Sequence, residues 1–300
     1  MFISYNYFRQ WNNNKKIENH KDFYKKFSNE REFGGTHTHM DHLVQNRFSN
    51  TLQHIYNAIL RSHPKKILDI GCGDGVNLPL ANIFPEIEYE GIDYAEQTIE
   101  AAKRNYPNIH FKVGDAFDLP YKDDSFDMAI ISSVLILYKD ETDRVKLLKE
   151  ANRILKDNGI LIINVWNDTL MIRNSIRLSR FLGKLNHDSL PQDFMGCHFS
   201  FNDVYNMVSK TGRYKIVERI QTAQLMGVLE CARYINRSKY HRKFGKEQLE
   251  TKKLPQNVKT DLLIQAGGNN KITSFLYGLM KINPNWFSWA NIYILRVVKN

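Results

Sequence analysis

The chain has 300 residues, of which 42% are hydrophobic, 12% aromatic and 25% charged. That is enough apolar material for a large core, yet no apolar run approaches the ~18 residues that a membrane-spanning helix needs. The formal net charge is +10, and three scattered cysteines (Cys72, Cys197, Cys231) exclude a disulfide-stapled scaffold. The opening MFISYNYFRQWNNNKK has neither the apolar stretch nor the cleavage site of a secretory leader, so a cytoplasmic protein is expected. Cations gather between Arg237 and Lys259, and again at Arg173, Arg177, Arg180 and Lys184. Such stretches are either solvated faces or an attraction to an anionic partner such as a phosphorylated metabolite, a lipid surface or RNA.

In chain order, residues 1–62 predict a helical cap or lid, with Asp41 capping a helix that reaches Leu60. From Lys65 to about Arg219, short β-branched runs alternate with helical segments, the signature of a parallel sheet covered by helices. Lys66–Ile70 is the first strand. A helix is expected from about Val76 to Ile83, then strands at Glu88–Asp93 and His110–Val113 flanking the helical AEQTIEAAKRN. Phe126–Ser132 is almost wholly apolar, as a strand buried on both faces should be. A helix over Thr142–Leu155, stopped by Asn158-Gly159, precedes a fifth strand at Ile160–Trp166. After an insertion at 167–199, Phe201–Thr211 predicts a helix with Asn202 as N-cap, and Lys215–Ile220 the sixth strand. Residues 223–289 form a second insertion, expected on the acceptor side. The strong final strand Ile292–Val298 lies in the closing segment 290–300. The core is thus 63–222 plus that segment.

The turn after the first strand, Gly71-Cys72-Gly73-Asp74-Gly75, decides the chemistry. Its glycines let the backbone turn sharply and approach a ligand closely. Dinucleotide turns read Gly-x-Gly-x-x-Gly so that a pyrophosphate can sit on the helix N-terminus. Here the glycines are spaced by two, position 76 is valine, and Asp69 stands beside the turn. A carboxylate there suits a ligand with an ammonium and a sulfonium, and suits a pyrophosphate poorly, which favours S-adenosylmethionine over NAD. Asp93, ending the second strand, can accept both ribose hydroxyls. Asp115, after the third strand, can accept the adenine amine.

Together with Asp69-Ile70-Gly71-Cys72-Gly73, the segments Gly114-Asp115-Ala116-Phe117-Asp118-Leu119-Pro120-Tyr121, Asp124-Ser125-Phe126-Asp127 and Glu150-Ala151-Asn152-Arg153-Ile154-Leu155-Lys156 carry a resemblance. Over residues 65–166, and more loosely over 198–220, the sequence resembles the class I S-adenosylmethionine-dependent methyltransferases of the small-molecule branch. The resemblance implies a doubly wound, Rossmann-like α/β fold with a seven-stranded sheet and an antiparallel last strand. It places Asp69 and Gly71 near the methionine moiety, Asp93 on the ribose, Asp115 and Ala116 around the adenine, and Ser132 at the methionyl end. Cys72, Gly73 and Tyr94 complete the expected cofactor-binding set. Family members often carry histidines after the fourth strand; here the run is Ser132-Ser133-Val134-Leu135-Ile136-Leu137-Tyr138, which leaves that position without a base.

The sequence offers bases elsewhere: His198 before the helix leading to the sixth strand, and His37 or His39 in the loop before Asp41, which would form a lid facing the acceptor. His37-Thr38-His39-Met40-Asp41-His42 also has the spacing of a two-metal hydrolase motif. No strand pattern precedes it, so no metal is expected. The expected reaction is methylation of a small molecule, O-methylation of a sugar, nucleotide-sugar, lipid or related metabolite, with an anionic acceptor among the options. RNA methylation and a non-catalytic cofactor-binding role are the alternatives. Nucleic acid is disfavoured because neither an Asn/Asp-Pro-Pro-aromatic segment nor a Pro-Cys nucleophile is present.

Overall fold

A computed structural model describes residues 42–75, 79–181, 197–222, 271–288 and 290–299. The described strands are β1 (Lys66–Ile70), β2 (Glu88–Asp93), β3 (His110–Val113), β4 (Phe126–Ser132), β5 (Leu155–Asn167), β6 (His198–Phe199), β7 (Tyr214–Thr222) and β8 (Ala290–Val297). Helices are α1 (His42–Ser62), α2 (Pro79–Ile83), α3 (Glu96–Asn105), α4 (Glu141–Ile154), α5 (Leu170–Phe181), α6 (Phe201–Ser209) and α7 (Lys271–Ile282). Among the described residues, no helix is long and apolar enough to cross a membrane.

The sheet runs in the order β3-β2-β1-β4-β5-β8-β7, with the two-residue β6 paired to β5 off that path. β1 pairs in parallel with β2 and β4, β2 with β3, and β4 with β5, while the final strands are antiparallel. This is the expected seven-strand Rossmann-like sheet with β6 added. The order reverses beside β1, and the carboxyl ends of β1, β2 and β4 meet there in the crevice where open α/β sheets bind ligands.

Alternation along each strand divides the core into two layers. Leu68, Ile70, Ala129, Ile131, Leu161 and Ile163 meet Leu147, Leu148 and Ala151 of α4 and Val204 and Met207 of α6. Ile67, Met128, Ile130, Ile160 and Ile162 meet Ile55 and Ile59 of α1 and Ile99 and Ala102 of α3 on the opposite face. Because β1 has period two, Asp69 falls on the Ile67 side and is itself fully buried.

By compactness the chain divides into two units. One comprises Lys16–Trp166, Met195–Thr222 and Asn291–Asn300 and holds the sheet and α1–α4 and α6. The other comprises Met1–Lys15, Asn167–Phe194 and Ala223–Ala290. Its described elements are α5, α7 and a 3-10 turn, Pro284–Phe287, that packs against both helices.

Several details differ from the sequence reading, among them β5, which begins at Leu155 in place of Ile160, and β7, which runs Tyr214–Thr222 in place of Lys215–Ile220. The helix before β5 ends at Ile154, one residue short of the expected Leu155, and Asn158-Gly159 lies inside β5, because Leu155 turns extended (φ −84°, ψ 139°) and pairs with Phe126. Asn158 then adopts φ 61° within β5, and a Cβ on Gly159 would lie 2.8 Å from the Lys156 carbonyl oxygen, so the pair makes an irregularity in the strand. Ser200, not Asn202, caps α6: its hydroxyl accepts from the Asp203 N–H, and the Asp203 carboxylate accepts the Ser200 N–H at 2.7 Å in a capping box. Asp41, the expected cap of α1, lies outside the described residues.

Candidate active site

The glycine turn fixes the crevice. Gly71, Gly73 and Gly75 have φ of 73°, 58° and 101°, the left-handed region that other residues enter at a cost. At Gly71 space is as limiting as conformation, since a Cβ would lie 2.3 Å from Cγ2 of Val134 in the segment after β4. The turn is held against β2 by the Gly71 and Cys72 N–H groups, which donate to the Ile92 carbonyl at 2.7 and 3.1 Å. Buried Cys72 fills the space beside Gly91, where a Cβ would come within 2.9 Å of its sulfur. Burial, then Asp69 and Asp93, push the Cys72 thiol well up, so this cysteine is a packing group and not a nucleophile.

Asp69 accepts a hydrogen bond from the Tyr89 hydroxyl at 3.3 Å. Burial and then the Asp69 charge push the Tyr89 hydroxyl far up, keeping it a neutral donor. Asp93 ties β2 to the turn: Oδ2 accepts the Gly73 N–H and Oδ1 the Ala95 N–H, both at 3.0 Å. Burial raises its pKa despite these N–H donors, and the nearby Asp74 adds to the rise. Each carboxylate oxygen has a second acceptor direction, so both ribose hydroxyls of a nucleoside can still be received. Tyr94 follows on the exposed rim.

Asp115 shapes the turn after β3, accepting the Phe117 N–H at 3.0 Å on its side chain and the Asp118 N–H on its carbonyl. Ala116 beside it is half-buried. Phe117 meets Tyr138 edge to face, with centroids 5.0 Å apart. Burial and then the charges of Asp115 and Asp93 raise the Tyr138 pKa, so its hydroxyl lies in the field of both crevice acids. Nothing in the sequence pattern flagged Tyr138; only its position six residues past β4 could have.

At the end of β4, Ser132 is half-buried, and the Asn164 amide reaches toward its hydroxyl at 3.5 Å and toward Thr51 of α1 at 3.3 Å. The turn continues through Ser133 at φ 61°, whose N–H donates to the Asn164 carbonyl. Asp69, Gly71, Gly73, Asp93, Asp115 and Ser132 thus stand on the strand ends and turns that frame one crevice.

The loop from Asp115 to Asp123 is clamped from α4. Arg153 donates to the carbonyls of Tyr121 and Leu119 at 2.7 and 2.9 Å, to Asp123 at 2.8 Å and to Glu150 at 2.6 Å. Glu150 in turn accepts the Leu119 N–H at 2.8 Å. Asp127 similarly accepts the Lys65 and Lys66 N–H groups and anchors the start of β1. Two of the sequence segments that carried the resemblance are therefore supports of the crevice and not its lining.

The proposed bases fare differently. His37 and His39 lie outside the described residues. His198 sits in β6 with its ring beside Trp166, centroids 5.5 Å apart. It lines an open groove of about 780 Å3 between α4 and α6, with Lys139, Glu141, Arg144, Asp203 and Lys210. None of the crevice acids lines that groove.

The fit to a sulfonium nucleoside follows from the chain's own atoms. Asp69, Asp74 and Asp93 act on the turn, and Gly71 leaves no room there for a side chain, a negative and tight site that favours a cation and repels a pyrophosphate. The fold and the crevice define a class I, S-adenosylmethionine-dependent methyltransferase domain. In agreement, the family described as "Methyltransferase domain" matches residues 62–233, and the chain belongs to that family.

Among curated proteins, the demethylmenaquinone methyltransferase of Thermotoga maritima is 34% identical over 110 residues, covering 36% of this chain and 47% of that one. That of Staphylococcus aureus is 36% identical over 103 residues, covering 32% and 41%. The chain thus spans less than half the length of these curated relatives. Among solved structures, a SAM-dependent methyltransferase from Methanosarcina mazei superposes with a TM-score of 0.50 at 18% identity, covering 82% of this chain and 98% of that one. The [4+2]-cyclase SpnF gives 0.50 at 15% identity, covering 83% and 81%. At those identities the likeness shows the fold alone, and a cyclase on the same fold is a reminder that chemistry lives in the site.

Proposed function

We propose that this protein transfers a methyl group from S-adenosylmethionine to a small-molecule acceptor. The observation that carries the reading is the Gly71 turn, closed to any side chain by Val134 and bordered by Asp69 and Asp93. When bound, the donor supplies an electrophilic methyl on a positively charged sulfur. The chain's residues bind and orient: Asp69 with Ser132 would hold the methionyl end, Asp93 with Tyr94 the ribose, and Asp115 with Ala116 the adenine. Gly71, Cys72 and Gly73 supply the close backbone. Displacement at carbon needs alignment and exclusion of water more than a strong base, which the wall of Val134 and Tyr138 serves.

For the acceptor, we propose a hydroxylated small molecule, methylated on oxygen. A sugar, nucleotide-sugar, lipid or related metabolite fits that description. The relatives named demethylmenaquinone methyltransferases favour the lipid end of this range and add a second reading, methylation on the carbon of an electron-rich ring. His198, His37 and His39 are the bases proposed for an oxygen acceptor.

Calorimetry with S-adenosylhomocysteine tests the donor site, and binding is expected. No heat with either the donor or its demethylated product, together with heat from a nicotinamide dinucleotide, would overturn the reading. Incubation with labelled donor and separate pools of nucleotide-sugars, lipid extract and prenylated quinols then identifies the acceptor class by the labelled product.

A further inference from the structure

The charge of the chain is divided unevenly between its two units. The unit of Met1–Lys15, Asn167–Phe194 and Ala223–Ala290 carries 17 Lys and Arg against 7 Asp and Glu, whereas the sheet unit carries 25 of each sign. The whole excess of +10 therefore belongs to the unit that does not hold the cofactor crevice. A surplus of this size confined to one unit marks it as the part that meets an anionic partner.

The same unit exposes large apolar side chains. In α5, Leu170 is 61% and Phe181 87% exposed; in α7, Phe275 is 65% and Ile282 74% exposed. Trp286 is also exposed, on the 3-10 turn that packs against both helices. At about 100° per residue, Leu170, Asn174, Arg177, Leu178 and Phe181 fall on one face of α5. All five are exposed, while Ile172 and Ser175 are buried. This face mixes apolar groups with the cation of Arg177, and Arg173 beside it is paired with Asp168 at 2.6 Å. A helix that lays apolar and cationic groups outward on one side is built for the boundary between lipid headgroups and acyl chains. Aliphatic Leu170, Leu178 and Ile282 cannot stack on bases, which makes a single-stranded nucleic acid the poorer occupant.

We propose that this unit docks on a lipid surface bearing anionic headgroups. Its exposed apolar side chains enter the interface, and the exposed cations of Arg177 on α5 and Lys281 on α7 meet the phosphates. The inference stands on charge and exposure and does not depend on the identity of the methyl acceptor.

The test is co-sedimentation of the full chain with vesicles of phosphatidylcholine alone and of phosphatidylcholine with equimolar phosphatidylglycerol, at low and high salt. Retention is expected on the anionic vesicles, falling steeply with salt. The variant Leu170→Asp/Phe181→Asp, at two exposed positions, is expected to lower that retention by about tenfold or more, the scale of burying a large apolar side chain. Its circular dichroism and its calorimetric response to S-adenosylhomocysteine should be unchanged, which separates this question from that of the donor site. Equal retention on both vesicle types, or retention that the double variant leaves intact, would overturn the proposal. So would retention on total RNA that needs the same two side chains, with none on vesicles.

Discussion

Gly71 and Val134 come so close that a single added carbon on the glycine would lie 2.3 Å from the valine's Cγ2. The contact joins the turn after β1 to the segment after β4, and it makes the cofactor crevice narrow by packing as well as by backbone conformation. Gly71→Ala should therefore cost about 2–4 kcal/mol, the sum of a left-handed alanine and an overpacked contact. Val134→Ala in the same chain should restore the packing part and leave the conformational part. Chemical denaturation of the four proteins of this cycle measures the coupling, and strict additivity would show that the contact does not govern.

Asp93 serves the fold, through the Gly73 and Ala95 N–H groups, and in the proposed site it also receives the ribose. Asp93→Asn keeps one acceptor oxygen for the Gly73 or Ala95 N–H but loses charge-assisted recognition of the ribose. Affinity for S-adenosylhomocysteine should fall about 10- to 100-fold, on the scale of a hydrogen bond to a charged group.

The raised pKa of Asp93 also sets a pH dependence. Burial favours the protonated acid in the free protein, whereas in the proposed site ribose hydroxyls would donate to the carboxylate, so binding should lower the pKa and release a proton. Affinity should thus rise as pH is raised through a value above the ~3.9 of an ordinary aspartate. For stability the sign is opposite: a carboxyl raised in the fold favours the folded state at pH below its raised value and loses that advantage as pH climbs through it. Calorimetry in buffers of different ionisation enthalpy reads the released proton, and in Asp93→Asn that release should vanish.

Arg153 holds the loop bearing Asp115 through a planar fork that lysine cannot copy. Arg153→Lys and Arg153→Ala should both destabilise the protein, by about 1–3 kcal/mol, since the Tyr121 and Leu119 carbonyls and Glu150 lose their donor. Burial works to raise the Glu150 pKa, but the hydrogen bonds from Arg153 and the Leu119 N–H outweigh it and hold it low. That depressed group contributes stability above the ordinary glutamate value, and the contribution is lost as pH falls through the folded value. Urea midpoints between pH 7 and pH 3 should therefore decline more steeply for the wild type than for Arg153→Ala.

His198 belongs to the groove between α4 and α6. His198→Ala is accordingly expected to leave S-adenosylhomocysteine affinity within about twofold, a change below 0.5 kcal/mol. If it serves as the base, turnover with the identified acceptor should fall while donor affinity holds. A large loss of donor affinity would place the histidine in the crevice instead.

Much of this was legible in the chain. β2, β3 and β4 have the bounds their sequences predict: β4 because a strand buried on both faces reads as an apolar run, β2 and β3 because turn residues bracket them. The start of β5 is not legible, because Leu155 is as good in a helix as in a strand, and only its pairing with Phe126 makes it the first residue of the strand. Propensity favours Asn202 as the cap, but the reciprocal bonds of Ser200 and Asp203 take that role.

Local chemistry therefore determined the order of the elements and the kind of ligand the turn accepts: glycine spacing and strand-end acids are properties of a few adjacent residues. Tertiary structure alone decided that Val134 seals Gly71, that Tyr138 lies in the field of Asp93 and Asp115, and that Arg153 holds the loop after β3. Each of these depends on residues distant in the chain being brought together by burial of two apolar layers, and no local pattern encodes which distant partner a side chain will meet.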